Sequence, residues 1–290
     1  MSRGADNTIK DLESMKEMTQ ALAEIAANRM RKTRNSVLRS REYMAEINGI
    51  FDEVRASYRR AAAKLLKRRG KKKGGELTFL AHNGKTVAVL ISANAGLYGE
   101  IVHNTFNFFL ENIKGVDNEV TIIGKLGQKQ FLGSNLKLPY TYFDFPDYGL
   151  DKELLVGIIE HLVQYEEIHF YYGRYINVVR QEPTRFNLSA QTPLSKDIGE
   201  KKEVAKYIFE PSLENILMTF ESKIFGSLIE QTIEESQLAK NSSRIMSMQE
   251  ASDNIAENIK KEKIAFLRMR HRVHNQKRLN SLSGMSLWSR

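Results

Sequence analysis

The stretch best placed to do chemistry is SANAGLYGE, Ser92 to Glu100, which follows the apolar run TVAVLI and leads into a helical pattern. Glycines at such a strand-to-helix turn can bring backbone N–H groups onto a phosphate. This stretch matches neither G-x-x-x-x-G-K-[ST] nor G-x-G-x-x-G. A tight turn around Gly96, Leu97 and Gly99, with the glycines supplying backbone freedom, accounts for it better. His271 and His274 stand three apart in a basic helical run and do not form H-E-x-x-H, so they read as surface residues rather than metal ligands. DFPDY and YEEIHF carry carboxylates, but nothing in their spacing pairs an acid with a base. The chain has 0 cysteines, which removes thiol nucleophiles, disulfides and Cys-based zinc sites. No catalytic, cofactor-binding or metal-binding residue is expected.

The elements that would carry these residues fall into three textures. From Asn7 to about Arg69 charges alternate with apolar residues, with no proline and Gly49 as the one glycine. GKKKGG, Gly70 to Gly75, then breaks the helix. From Glu76 to about Tyr207 come β-branched runs (LTFLAH, TVAVLIS, EVTIIGK, YTYFDF and IHFYYG) separated by helical stretches, the alternation of a small α/β domain. After Glu210-Pro211 helical texture returns to about Ser281. The expected boundaries are 1–70, 71–207 and 208–290.

The two helical arms share a spacing. In the last arm Ile245, Met248, Ser252, Ile255 and Ile259 step by three, four, three and four. In the first, Ile47, Phe51, Val54, Tyr58, Ala61 and Leu65 keep the same rhythm, as do Leu12, Met15, Thr19, Leu22 and Ala26. Stripes this narrow suit a coiled-coil seam, and each needs a partner helix. The simplest closure packs the arms on each other, antiparallel, with the α/β domain inserted between them. Ordinary bundle packing is the competing reading, although it would need more apolar surface. At 1.5 Å per residue the last arm reaches on the order of 100 Å.

The formal net charge is +9, so an acidic partner is expected: nucleic acid, lipid headgroups or an acidic protein face. RMRKTR (29–34), RRAAAKLLKRRGKKK (59–73) and RMRHRVHNQKR (268–278) hold much of the excess. Few aromatics are interleaved and no zinc-finger, recognition-helix or RNP pattern is present, which disfavours nucleic acid; a solvated helix face is the commoner use of such runs. No run approaches the roughly 18 apolar residues of a membrane span. The N-terminus lacks an apolar signal region, which argues against a secretory signal or transit peptide.

Taken in order, several blocks resemble the gamma subunit of F-type rotary ATP synthases. MTQALAEIAANRMRK (18–32) is similar to the family's I-T-K-A-M-K-M-V-A-A-A-K-L-R-R, and VLISANAGLYGEIVHN to its block with S-D-R-G-L-C-G-G. YYGRYINVVRQEP (171–183) resembles Y-N-K-F-x-N-x-x-x-Q-x-P, and YIFEPSLENIL the Y-x-x-E-P entry to the last helix. SSRIMSMQEASDNIAENI resembles A-A-R-M-M-A-M-D-N-A-T-D-N-A and is the most specific of the set.

The resemblance implies an α/β protein: a long antiparallel two-helix coiled coil of the N- and C-terminal helices with an inserted Rossmann-like α/β domain. It implies a non-catalytic rotor, without cofactor, that turns inside a ring of alpha and beta subunits and rests on the epsilon subunit and the membrane c-ring. Nucleic acid and direct membrane insertion are not expected, and the location implied is peripheral, on the cytoplasmic face of the bacterial inner membrane. Arg29, Arg31, Lys32, Arg268 and Arg270 match basic or near-equivalent family positions facing the ring, and Gln276 matches a glutamine near the shaft tip. Exposed ion pairs, worth about 0–1 kcal/mol each, would let such a rotor push without sticking. The chain also departs from the family: its first-arm lysines fall on Gln20 and Ala23, a methionine on Glu24, an Asp-Arg pair on Asn94 and Ala95, and a cysteine on Tyr98. I-T-Q-E becomes His274 to Lys277, and the tail reads GMSLWSR. A divergent synthase, or an F-type-like ATPase working in hydrolysis, fits these departures.

Overall fold

The computed structural model describes residues 2–68, 83–114, 118–134, 136, 138–189 and 213–288. GKKKGG, LTFLAH and Glu210-Pro211 lie outside the described residues. In chain order the elements are α1 (Ser2–Arg68), β1 (Thr86–Ile91), α2 (Ile101–Ile113), β2 (Glu119–Ile123) and α3 (Lys125–Leu132), followed by β3 (Tyr140–Phe143), α4 (Lys152–Leu162), β4 (Glu167–Tyr175), β5 (Gln181–Ser189) and α5 (Leu213–Trp288). Neither α1 nor α5 contains proline, so each backbone ladder runs on without a break.

The strands form one sheet in the order β3-β2-β1-β4-β5. β1 pairs in parallel with β2 and with β4, and β2 in parallel with β3; β5 returns antiparallel along β4. Because helices cover both faces, the central strands need apolar residues on both sides. TVAVLI meets that need. Val87, Val89 and Ile91 point into a core with Leu155, Ile158 and Leu162 of α4 and Ile229 and Ile233 of α5. Ala88 and Leu90 point the other way, onto Phe106, Phe109 and Ile113 of α2 and Phe131 of α3. Edge-on ring contacts tighten this second core, with Phe109 and Tyr171 centroids 5.3 Å apart. α4 begins where the Asp151 side chain accepts hydrogen bonds from the Glu153 and Leu154 N–H groups.

The chain divides into two compact units. One is 28–243 and contains the sheet; the other joins 1–27 to 244–290. In the second unit, burial on α5 follows Ile245, Met248, Ser252, Ile255, Ile259, Glu262, Phe266 and Met269, in alternating steps of three and four. On α1 it follows Ile9, Leu12, Lys16, Thr19, Ala23 and Ala26 in the same rhythm. Lys263 Nζ on α5 lies 2.8 Å from Glu13 Oε1 on α1. One expected stripe position is corrected: Met15 is 54% exposed and Lys16 takes its place. Stepping four from Leu12 keeps the stripe on one face, and the Lys16 stem can lie along that face while its ammonium reaches water.

His161 of α4 lies under the sheet, its Nε2 3.1 Å from Thr121 Oγ1 and its ring edge-on to Tyr165. Burial holds its pKa below the usual 6.5 despite the nearby Glu119 carboxylate, and burial followed by Arg185 does the same to His169. Both rings are therefore favoured neutral in the folded chain. Between the depressed folded pKa and the unfolded value the unfolded chain binds more protons, so stability is full above about pH 6.5 and is lost as pH falls through that window. The melting temperature should fall on acidification from pH 7.5 to 5.5, and His161→Gln with His169→Gln should flatten the slope. An unchanged slope in that double variant would assign the acid loss to other groups.

Candidate functional site

Two sets of residues stand out: the exposed sides of the long helices, and a polar collar on α5. Along α1, Arg31 and Lys32 are exposed. Arg29 is half-buried, its guanidinium 5.1 Å from the Tyr148 ring centroid, so in the isolated chain it faces the α/β unit. On α5 every residue from Arg270 to Ser283 is exposed, including Gln276, and so is Arg268. Of the seam positions named from spacing, Met248 (7%) and Ile259 (8%) are buried, while Ile47, Ile245 and Ile255 are half-buried. Phe51, Val54 and Tyr58 belong to the described backbone of α1, but their side chains lie outside the described residues.

Sequence spacing missed a second apolar set. Met15, Met18 and Ile25 on α1 are 54%, 65% and 45% exposed, and Ile264 and Leu267 on α5 are 52% and 49% exposed. They lie off the buried stripes: Ile264 and Leu267 sit among Lys261, Lys263 and Arg268, whereas Met15 and Met18 sit among the exposed acids Asp11, Glu13 and Glu17. The exposed side of α5 near Arg268 is thus basic and apolar together, while that of α1 is acidic and apolar before Asn28 and basic from Arg31 on. Spacing alone does not reveal them, because apolar residues off the stripe have no period of their own and Met15 falls at a three-residue step from Leu12.

The second set is buried. Every residue from Thr232 to Ser243 of α5 is buried, and only Ile233, Leu238 and Ala239 among them are apolar. Lys240 Nζ donates to the Ser92 carbonyl at 2.7 Å and lies 3.4 Å from Asp147 Oδ1. Gln237 Nε2 donates to the Pro146 and Gly149 carbonyls at 3.0 and 2.9 Å. Ser242 Oγ donates to the Val178 carbonyl at 3.0 Å and accepts from Gln181 Nε2 at 3.1 Å, at the β4–β5 hairpin tip. Glu234 accepts from both Ser36 and Ser40 of α1, the latter at 3.0 Å.

Asp147 is itself held by the turn after β1, accepting from the Asn94 N–H at 2.9 Å and the Ala95 N–H at 2.8 Å. Asn94 Nδ2 donates to Asp144 Oδ1 at 2.6 Å, and Lys125 Nζ lies 2.9 Å from Asp144 Oδ2. The Lys125 ammonium and the Asn94 amide hold the Asp144 carboxyl below its ordinary pKa. In this turn Gly99 takes a positive φ of 63°, as expected of a glycine. Gly96 does not: its φ is not in the left-handed region and an added Cβ would meet nothing within 4 Å. The strain sits instead on Leu97, at φ 65°.

The turn lies at the carboxyl end of β1, where strand order reverses between β2 and β4 and where open α/β sheets commonly take a ligand. Here the Lys240 ammonium occupies the Ser92 carbonyl at that end. The arrangement supports a joint between helix and sheet rather than a phosphate cradle. Among the described residues no group of three or more His, Cys, Asp or Glu could hold a metal ion, and no helix is long and apolar enough to cross a membrane.

The family model for ATP synthase matches residues 2–274, nearly the whole chain. This chain belongs to the ATP synthase gamma-chain family. Gln276 falls beyond the matched range. The relatives carry the same description: the ATP synthase gamma chain of Pelotomaculum thermopropionicum is 24% identical over 269 residues, covering 90% of each chain. That of Staphylococcus epidermidis is 24% identical over 294 residues, covering 97% of this chain and 96% of its own. That of Histophilus somni is 26% identical over 259 residues, covering 85% of each. The fold is similar to a chain of the Tetrahymena thermophila mitochondrial ATP synthase central stalk and c-ring (TM-score 0.53, 16% identity, 81% of this chain and 99% of that one). It is also similar to one of the Euglena gracilis mitochondrial ATP synthase OSCP, F1 and c-ring assembly (TM-score 0.52, 14% identity, 90% and 94%).

Proposed function

We propose that this chain is the central-stalk rotor of a rotary F-type ATP synthase, a non-catalytic subunit that couples transmembrane ion flow to ATP synthesis or hydrolysis in a ring of alpha and beta subunits. Family membership over 2–274 carries the reading. The two long helices supply the means: their buried stripes close on each other as an antiparallel coiled coil, with Glu13–Lys263 as one rung. We assign Ile47, Phe51, Val54 and Tyr58 to the α1 stripe and Ile245, Met248, Ile255 and Ile259 to the α5 stripe, without pairing one group with the other. Residues 1–70 and 208–290 form the shaft, and 71–207 the foot. The foot's order 3-2-1-4 supports a Rossmann-like sheet whose ligand end is given over to α5.

Ring contacts fall to Arg31, Lys32, Arg268, Arg270 and Gln276, with Arg29 recruited from Tyr148 on assembly. Met15, Met18, Ile25, Ile264 and Leu267 add apolar contact, kept small enough to release as the shaft turns. The turn at Gly96, Leu97 and Gly99 anchors the foot end of the shaft. Epsilon and the c-ring seat the foot, placing the chain peripherally at the cytoplasmic face of a bacterial membrane. The departures at Glu24, Asn94 and Ala95 favour, as a second reading, the shaft of an F-type-like ATPase that mainly hydrolyses ATP.

Co-expression with alpha and beta chains tests the proposal. A stable complex whose ATP hydrolysis depends on this chain is expected; elution of the chain apart from alpha and beta would contradict it.

A further inference from the structure

We infer that the buried polar collar of α5, with Lys240 as its key, locks the rotational setting of that helix in the foot, so that torque passes between foot and shaft without slip. The inference rests on the rotor reading for its purpose and on geometry for its substance. Apolar attraction is non-directional, whereas a hydrogen bond weakens steeply once its angle falls below about 120°. Turning α5 about its own axis would therefore break the collar's bonds together, in addition to withdrawing Ile229 and Ile233 from the core.

The anchors are rigid and lie in different directions. Lys240 reaches Ser92 at the end of β1 and Asp147, itself fixed by the Asn94 and Ala95 N–H groups. Gln237 is held by the carbonyls of the loop before α4, and Ser242 by the hairpin tip. Glu234 ties the opposite side to α1 through Ser40. A helix whose only task was to cover the sheet would carry leucines here. Lys240 acts as a positioning residue: its ammonium joins the helix to the most deeply buried strand of the sheet.

The chain has 0 cysteines, so two introduced ones report cleanly. Spin labels at Val179→Cys and Lys223→Cys, both exposed, span hairpin and α5 within one compact unit. Their distance distribution should be narrow in the parent chain and in Lys240→Arg, and at least about twofold broader in Lys240→Met. Amide exchange of β1 and β4 should stay unchanged, which separates loss of setting from loss of fold. If Lys240→Met does not fold, Asp147→Asn is the substitute and should broaden the distribution likewise. An unbroadened distribution overturns the lock. In the complete complex, ions pumped per ATP hydrolysed should fall about twofold or more in the same variant. A broadened distribution with an unchanged pumping ratio overturns the torque role. Failure of the parent chain to assemble would overturn the rotor reading, and with it the torque role, while the distance measurement still decides the lock.

Discussion

Replacing Ile255 and Ile259 together by Asp should destabilise the unit formed by 1–27 and 244–290 by at least about 3 kcal/mol. Ile259 is 8% exposed and Ile255 half-buried on the same stripe, with Met248 and Ser252 above them. Two carboxylates there lose apolar burial, and the α5 stripe holds no cation between Ile245 and Ile259. The α1 stripe from Ile9 to Ala26 offers only Lys16, whose stem and not its ammonium lies along the seam. Because the long helices of that unit have few other buried side chains, the loss should be local. Amide exchange from 248 to 266 should quicken while β1, β2 and β4 keep their protection. Unchanged exchange and melting would put the seam on another face.

The second large effect is expected at Gly124, just before α3. Its φ is 104°, and an added Cβ would stand 2.9 Å from both the N and the O of Ala93, backbone atoms that cannot swing aside. The same residue donates its N–H to the Phe143 carbonyl, and Leu126 donates to the Ala93 carbonyl, so a shift would disturb two strand ends at once. Backbone strain and overpacking each contribute about 1–3 kcal/mol, and Gly124→Ala should cost about 3 kcal/mol or more in thermal or denaturant unfolding. Gly96→Ala, two residues past Asn94, whose Oδ1 accepts from the Lys125 N–H at 2.8 Å, should change stability little, since nothing lies within 4 Å of the added methyl. Equal losses at both sites would mean that the turn is not built as described.

Much of this was legible because it is local or periodic. TVAVLI, EVTII and YTYF are apolar or β-branched runs bounded by turn residues, and they are β1, β2 and β3. The three-four rhythm from Ile245 to Ile259 matches the burial pattern because a helix repeats its face whatever the partner. What was not legible depends on three-dimensional neighbours. Thr232 to Ser243 reads as an ordinary polar helix, since hydrogen bonds to loop carbonyls leave no trace in spacing. Met15 is exposed and Lys16 half-buried because helix geometry sets the direction of a side chain whatever its hydrophobicity. Arg29 shares its cluster with Arg31 and Lys32, yet only the fold brings it to Tyr148. Gly96 and Leu97 could not be told apart by sequence, because backbone freedom is suggested by residue type while strain is visible only in the dihedral angle.

The rotor reading meets its most direct test in rotation. With a marker fixed to Val179→Cys on the β4–β5 hairpin, in the complex with alpha and beta chains immobilised by the ring, ATP should drive turning in one direction with three pauses per revolution. Hydrolysis that continues while the marker only jitters would contradict the account.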